Sequence, residues 1–265
     1  MAGVSPAVLQ PGWLVDVVIV YQGSPGVASR RMMRPRKWAA PRITRLLTIA
    51  CLLPGLLFAV PLAQDDQLAV KTVADFYGSR AGKRMQGWRE LVMRGKQERW
   101  NEQKSLAEVN RFFNQLTFLN DVLLWGRDDY WAAPMEFIGA GGGDCEDYSI
   151  AKYFSLIELG VPDEKLRMVY VKALTYQQFH MVVAYYPTPA AVPVILDNID
   201  GVIKPATKRK DLVPVFSFNG SHLWLMKERG QGQLAGSSSR LALWNDLRSR
   251  FSREQLKRPK INLDD

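Results

Sequence analysis

The sequence predicts an α+β domain, with helices in its first half and an antiparallel sheet in its second. Three observations carry this. Apolar residues recur at helical spacing between residues 68 and 159. Short β-branched and aromatic runs, separated by turn residues, fill residues 166–226. No internal repeat interrupts either half. With 265 residues, 47% hydrophobic and 23% charged, the chain can bury one or two cores, and wholesale disorder and collagen-like repeats are excluded.

The N-terminal stretch reads as an export signal behind an extension. From Met33 the chain is basic (Arg34, Arg36, Lys37, Arg42, Arg45), then uncharged from Leu46 to Val60, and it reaches Ala63 before turning polar at Gln64. A basic segment, an apolar run of about fifteen residues and a closing small residue are the anatomy of a signal peptide. The run is short and Pro/Gly-interrupted for a span of about 20 residues. Residues 33–63 are therefore read as the signal and residues 1–32 as a misassigned or unstructured extension, and the protein is expected in the periplasm. Membrane contact would come only through the signal segment if it stays uncleaved. Cys51, inside the apolar run, sits in a loosely lipobox-like context, but the run continues well past it.

Net charge is +9, yet residues 1–63 carry seven basic residues against one acid, and the rest carries 28 against 25. Most of the excess thus lies outside the expected folded body, and no nucleic-acid partner is expected.

Helices are predicted over Leu68–Phe76, Gly82–Met93 and Ser105–Leu119. In the last of these, Leu106, Val109, Phe113 and Leu116 share a face. Residues 127–143 read as an irregular aromatic loop ending in three glycines. Asp144 opens a helix over Cys145–Leu159, which Gly160 and Pro162 stop. Strands are predicted over Leu166–Ala173, His180–Tyr186, Val192–Leu196 and Val213–Phe218, with Leu223–Met226 a further candidate. The main domain is placed at 64–229, a Gly/Ser-rich linker at 230–240, and a basic helix and tail at 241–265, where solvated, loose docking is expected.

Two cysteines and two histidines restrict the chemistry. Once the signal is removed only Cys145 remains, at the first turn of a helix, where backbone N–H groups and the helix dipole favour a thiolate. His180 lies 35 residues further on, and Asp197, at the end of the next strand, 17 residues after that. In antiparallel neighbours these two can meet at one sheet edge, where a carboxylate would orient the imidazole of a Cys–His–Asp triad. The spacing equally fits an inert cysteine, a structural histidine and an aspartate starting a turn. His222, between Ser221 and Leu223, reads as structural. Zinc held by Cys145, His180 and His222 matches no known spacing. The glycine run lacks the lysine of a phosphate loop. Trp131 reads equally as a cleft or core aromatic.

The acids around Cys145 leave two readings open. Asp144, Glu146 and Asp147 would oppose a thiolate unless a cation such as Ca²⁺ neutralises them. Alternatively Asp144 is a helix N-cap, and Glu146 and Asp147 complement the helix dipole.

In order along the chain come Asp128-x-Tyr130-Trp131-Ala132-x-Pro134, Gly143-Asp144-Cys145-Glu146-Asp147-Tyr148-x-Ile150-Ala151-Lys152-Tyr153, Leu159-Gly160-Val161-Pro162, His180-Met181-Val182 and Leu196-Asp197-Asn198. This set resembles the bacterial transglutaminase-like cysteine proteinases over roughly residues 106–224. The resemblance implies a papain/transglutaminase-like fold, with Cys145 as nucleophile, His180 as base and Asp197 as orienter. It implies calcium dependence, carried to Asp144, Glu146 and Asp147. It also implies cleavage near the N-terminus of a large surface adhesin to release cells from biofilm, under inhibition by the periplasmic domain of an inner-membrane cyclic-di-GMP receptor. Two other functions share these residues: a transglutaminase-type acyl transferase, and a non-catalytic calcium-binding adaptor.

Overall fold

The computed structural model describes residues 61–226, 232–252 and 255–264. The predicted extension and the signal segment up to Val60 lie outside them. Among the described residues no helix is long and apolar enough to cross a membrane.

The helical layer begins with α1 (Gln64–Tyr77) and α2 (Ser79–Gln97), both longer than their apolar spacing predicts. Arg89 of α2 is buried and donates to Asp66 of α1 (2.6 Å) and to Glu158 (2.8 Å), tying the layer together. In α3 (Glu102–Phe113) the Asn101 side chain accepts the Lys104 N–H at 2.8 Å and so starts the helix, and Leu106, Val109 and Phe113 form its buried face. It ends six residues earlier than expected. Thr117–Phe118 leave the helix as β1 and pair in parallel with β2 (Gly142–Gly143).

Residues 127–143 are more ordered than a loop. After α4 (Asp121–Leu124), Pro134 starts α5 (Pro134–Ala140), where its missing N–H costs nothing. Next comes α6 (Cys145–Glu158), buried along most of its length and followed by Gly160 at φ +87°, as the sequence predicts.

The second half forms one antiparallel sheet of β3 (Leu166–Ala173), β4 (Gln178–Tyr185), β5 (Val194–Leu196), β6 (Lys204–Pro205), β7 (Leu212–Phe218), β8 (His222–Met226) and β9 (Gly232–Ser237). Spatial order is β6-β5-β4-β3-β7-β8-β9. Helices followed by an antiparallel sheet make an α+β fold. The main core lies between them, built on Phe137, Ile150, Leu156, Met168, Met181, Val183 and Phe218. A smaller cluster of Val169, Val171, Val182, Ala184 and Ile195 covers the other face.

Two expectations need correcting at the C-terminal end. Residues 232–237, read as linker, are strand β9, whose backbone pairs with β8 and needs no apolar face to do so. The helix after it, α7 (Ala242–Ser252), is firmly docked rather than solvated. Trp244 and Leu247 are fully buried, and Trp244 stacks on Phe154 at 5.7 Å.

Candidate active site

Cys145 is the first residue of α6, and α6 lies against β4. Ser149, one turn later, donates its hydroxyl to the Met181 carbonyl at 3.0 Å, which fixes the helix start against the strand next to His180. The Cys145 thiol donates to the Glu146 carboxylate at 2.8 Å. Burial raises the thiol's pKa well above its usual value, and Glu146 and Asp144 add to the rise. The backbone N–H of Met181, beside the sulfur, works the other way. Burial and the neighbouring acids thus favour the thiol over the thiolate at this position.

His180 is the third residue of β4, and Asp197 follows β5 directly. The two strands are antiparallel neighbours, with Val183 opposite Leu196. The juxtaposition expected from spacing is present: His180 Nε2 lies 2.7 Å from Asp197 Oδ1, and both side chains are buried. With Nε2 committed to the carboxylate, any proton exchange by this imidazole falls to Nδ1.

Asp197 is itself held from behind. Its Oδ1 also accepts the Ile199 N–H at 3.0 Å, and its Oδ2 accepts from the buried Arg209 guanidinium at 2.8 Å. Burial alone would raise its pKa, but His180, the Ile199 N–H and Arg209 outweigh that and hold the carboxyl well below the usual carboxylate range. The carboxylate stays charged while it orients the imidazole. Lys152, two turns along α6, is also buried, and burial pulls its ammonium down to about 7 against the opposing charge of Asp197.

The acids form a second constellation. Carboxylate oxygens of Asp121, Asp144 and Asp147 lie within 4.8 Å of one another. Asp121 uses one oxygen to accept the Tyr130 N–H, and Asp147 uses one for the Ala132 N–H at 2.7 Å, so both pin the 130–132 segment. One buried oxygen of each of the three acids has no hydrogen-bond partner. A side chain at Gly143 would put its Cβ 2.1 Å from Asp147 Oδ2, so only glycine lets the backbone pass this carboxylate. Burial and crowding both act on these carboxyl groups. Burial first, then Asp147, Glu146 and Asp121, push Asp144 up to about 11, and Asp121 rises to about 6 chiefly through burial.

Asp144 occupies the N-cap position of α6, yet its side chain makes no capping hydrogen bond. The capping account therefore does not describe this carboxylate. Glu146 lies on the Cys145 thiol rather than in the three-acid cluster, and Asp121 takes the third place.

Residues 83–211 match the profile of the family described as bacterial transglutaminase-like cysteine proteinases (BTLCP). Legionella pneumophila LapG, EGTA-treated, is 41% identical, with 72% of this chain and 99% of that one covered and a TM-score of 0.62. The chain belongs to this family. Calcium-bound LapG from the same organism is 42% identical over 70% of this chain and 98% of that one, with a TM-score of 0.60. A comparison with curated protein sequences finds no match.

In this proteinase the remaining candidates fall away from the site. His222 is exposed on β8, three strands from β4, or about 14 Å at ordinary strand spacing, which separates it from Cys145 and His180. Trp131 is a core aromatic, stacked on Phe218 at 5.5 Å, and its carbonyl accepts from Arg250 of α7 at 2.6 Å. Arg250 also meets the fully buried Glu136 at 2.6 Å, so the C-terminal helix holds the segment that the acid cluster pins from the other side. Asp121, Arg209 and Arg250 were not legible as site residues. Arg209 sits in the run Lys208-Arg209-Lys210-Asp211, which reads as a solvated charge cluster.

Proposed function

We propose that this cysteine proteinase is a calcium-dependent periplasmic endopeptidase that cleaves the N-terminal region of a large surface adhesin and releases the cell from biofilm. The observation that supports it best is the buried His180–Asp197–Arg209 chain, with Cys145 opening the helix that Ser149 ties to Met181, the residue after His180. In this reading Cys145 passes its proton to His180 Nδ1, and the thiolate adds to the scissile carbonyl. The imidazolium returns that proton to the leaving amine as the C–N bond breaks. Water, deprotonated by His180, then hydrolyses the thioester and restores the thiol. Asp197 keeps the imidazole in the tautomer this needs and stabilises its charged form.

Calcium fits the residues present. The cluster offers only oxygen donors, with unpartnered buried oxygens on Asp121, Asp144 and Asp147, and an irregular oxygen shell suits Ca²⁺ better than Mg²⁺. Those three would hold the ion, with Glu146 beside them. Bound there, it supplies the positive charge that offsets the carboxylates acting on the Cys145 thiol.

The basic-then-apolar run before Gln64 supports export. The adhesin, and inhibition by the periplasmic domain of an inner-membrane cyclic-di-GMP receptor, rest on the family resemblance. The test is to incubate the exported protein with the N-terminal region of a large surface adhesin from the same genome, in calcium and in EGTA. Cleavage in calcium that Cys145→Ala abolishes is expected. Amine incorporation without a new N-terminus would instead indicate acyl transfer, and biofilm release that survives loss of Cys145, with no cleavage of the adhesin, would indicate an adaptor.

A further inference from the structure

The helical layer covers the sheet only part of the way along β4. On the face turned toward the helices, Met181 and Val183 are fully buried, whereas Phe179, two residues earlier, is 57% exposed. The edge of the cover falls where α6 begins, at Cys145. The same transition recurs on the neighbouring strands. On β3 it lies between buried Met168 and half-buried Tyr170, and on β7 between buried Phe218 and half-buried Phe216.

Register places these residues on one face. Tyr170 is opposite Met181, whose carbonyl accepts from Ser149 one turn after Cys145, and Phe216 is opposite Tyr170 on the other side. The rings are stacked into a row: Phe179 to Tyr170 at 5.2 Å and Tyr170 to Phe216 at 5.0 Å. Leu225, opposite Phe216 on β8 and 54% exposed, extends the apolar surface. Contiguous exposed aromatics on a well-packed sheet mark a binding surface more often than a solvated one.

We propose that Tyr170, Phe179 and Phe216 form the specificity shelf of this proteinase, which takes an apolar side chain of the polypeptide substrate within two residues of the scissile bond. This rests on the endopeptidase reading, because the shelf's occupant is fixed by its continuity with Cys145. An extended peptide advances about 3.4 Å per residue, and Phe179 is two residues along β4 from Met181. A chain whose carbonyl sits at the sulfur therefore lays its adjacent side chains on these rings.

The test uses a synthetic library of randomised decapeptides, cleaved by the exported chain in calcium and read by mass spectrometry, followed by kinetics on one cleaved peptide. Cleaved sequences should be enriched in aliphatic or aromatic residues within two positions of the cut. Phe179→Ala should lower kcat/KM about tenfold, mainly through KM, as expected for losing part of an apolar contact. Phe179→Leu should recover most of the loss. The alkylation rate of Cys145 by iodoacetamide, which needs no shelf, should stay within about twofold in both variants. Unchanged peptide kinetics in Phe179→Ala, including the case where the shelf serves another protein, would overturn the proposal. So would cleavage with no apolar preference, or loss of alkylation in parallel with cleavage. No cleavage of any peptide by the unaltered chain, with alkylation intact, would instead overturn the endopeptidase reading beneath it.

Discussion

Replacing Asp144 by Asn removes one charge from the acid cluster at nearly constant shape, and its consequences differ sharply with and without calcium. Two unit charges 4.8 Å apart repel by about 3.5 kcal/mol at an effective dielectric constant of ~20. Three ionised carboxylates at that separation would repel by roughly three times as much, and this repulsion adds to burial, the larger cause, in pushing Asp144 up to about 11, so that it holds its proton at neutral pH. Calcium must displace that proton, so binding to the unaltered protein should release about one proton per ion. At a hundredfold excess over Kd the ion should stabilise the fold by about 2.7 kcal/mol. For a domain of this size that corresponds to roughly 5–10 °C in Tm. Asp144→Asn should melt no lower than the unaltered protein in EGTA, and it should lose most of the calcium-induced rise. Thermal melts in EGTA and in excess calcium, with titration calorimetry in two buffers of different ionisation enthalpy, measure all of this. The reasoning is refuted if calcium leaves the unaltered Tm unmoved. It is also refuted if Asp144→Asn costs about 1 kcal/mol in EGTA and Asp144→Ser, a good helix cap, restores it.

Other consequences follow from the same geometry. Because the folded pKa of Asp144 is raised, the folded metal-free protein binds more protons than the unfolded chain above about pH 4, so its stability should fall as pH rises through neutrality; melts from pH 5 to 8 in EGTA should show the fall, and calcium should flatten it. Asp197 is the opposite case: its depressed pKa contributes stability that is present above about pH 4 and is lost as pH falls through the folded value. Arg209→Gln should therefore move the acid-unfolding midpoint upward, and an unmoved midpoint would show that Arg209 does not hold the carboxylate. Arg250→Ala strands the buried carboxylate of Glu136 and should cost about 3–5 kcal/mol in urea unfolding, against less than about 0.5 kcal/mol if α7 were loosely docked.

What the sequence displayed and what it hid divide along physical lines. The helix carrying Cys145 was legible because glycine and proline punctuate both its ends, and β3, β4, β5 and β7 were legible because β-branched and aromatic residues alternate between turn signals. The approach of His180 to Asp197 followed from strand ends in consecutive antiparallel strands. Asp121 was hidden because it lies far upstream of Asp144 and looks like an ordinary first-turn acid, and only the packing of α4 against the start of α6 brings them together. Strand β9 was hidden by composition, since an edge strand held by backbone pairing can be rich in Gly, Ser and Gln. The docking of α7 was misjudged because its buried face centres on Trp244 and Leu247, while the arginine that secures it, Arg250, finds its carboxylate more than a hundred residues earlier in the chain.

The central claim, that Cys145 forms an acyl thioester that water resolves, is tested most directly by cleaving an adhesin N-terminal region in oxygen-18 water with calcium present. The account predicts a new C-terminus carrying one heavy oxygen, a transient substrate adduct on Cys145, and neither product with Cys145→Ala. A labelled C-terminus that still forms with Cys145→Ala would contradict it.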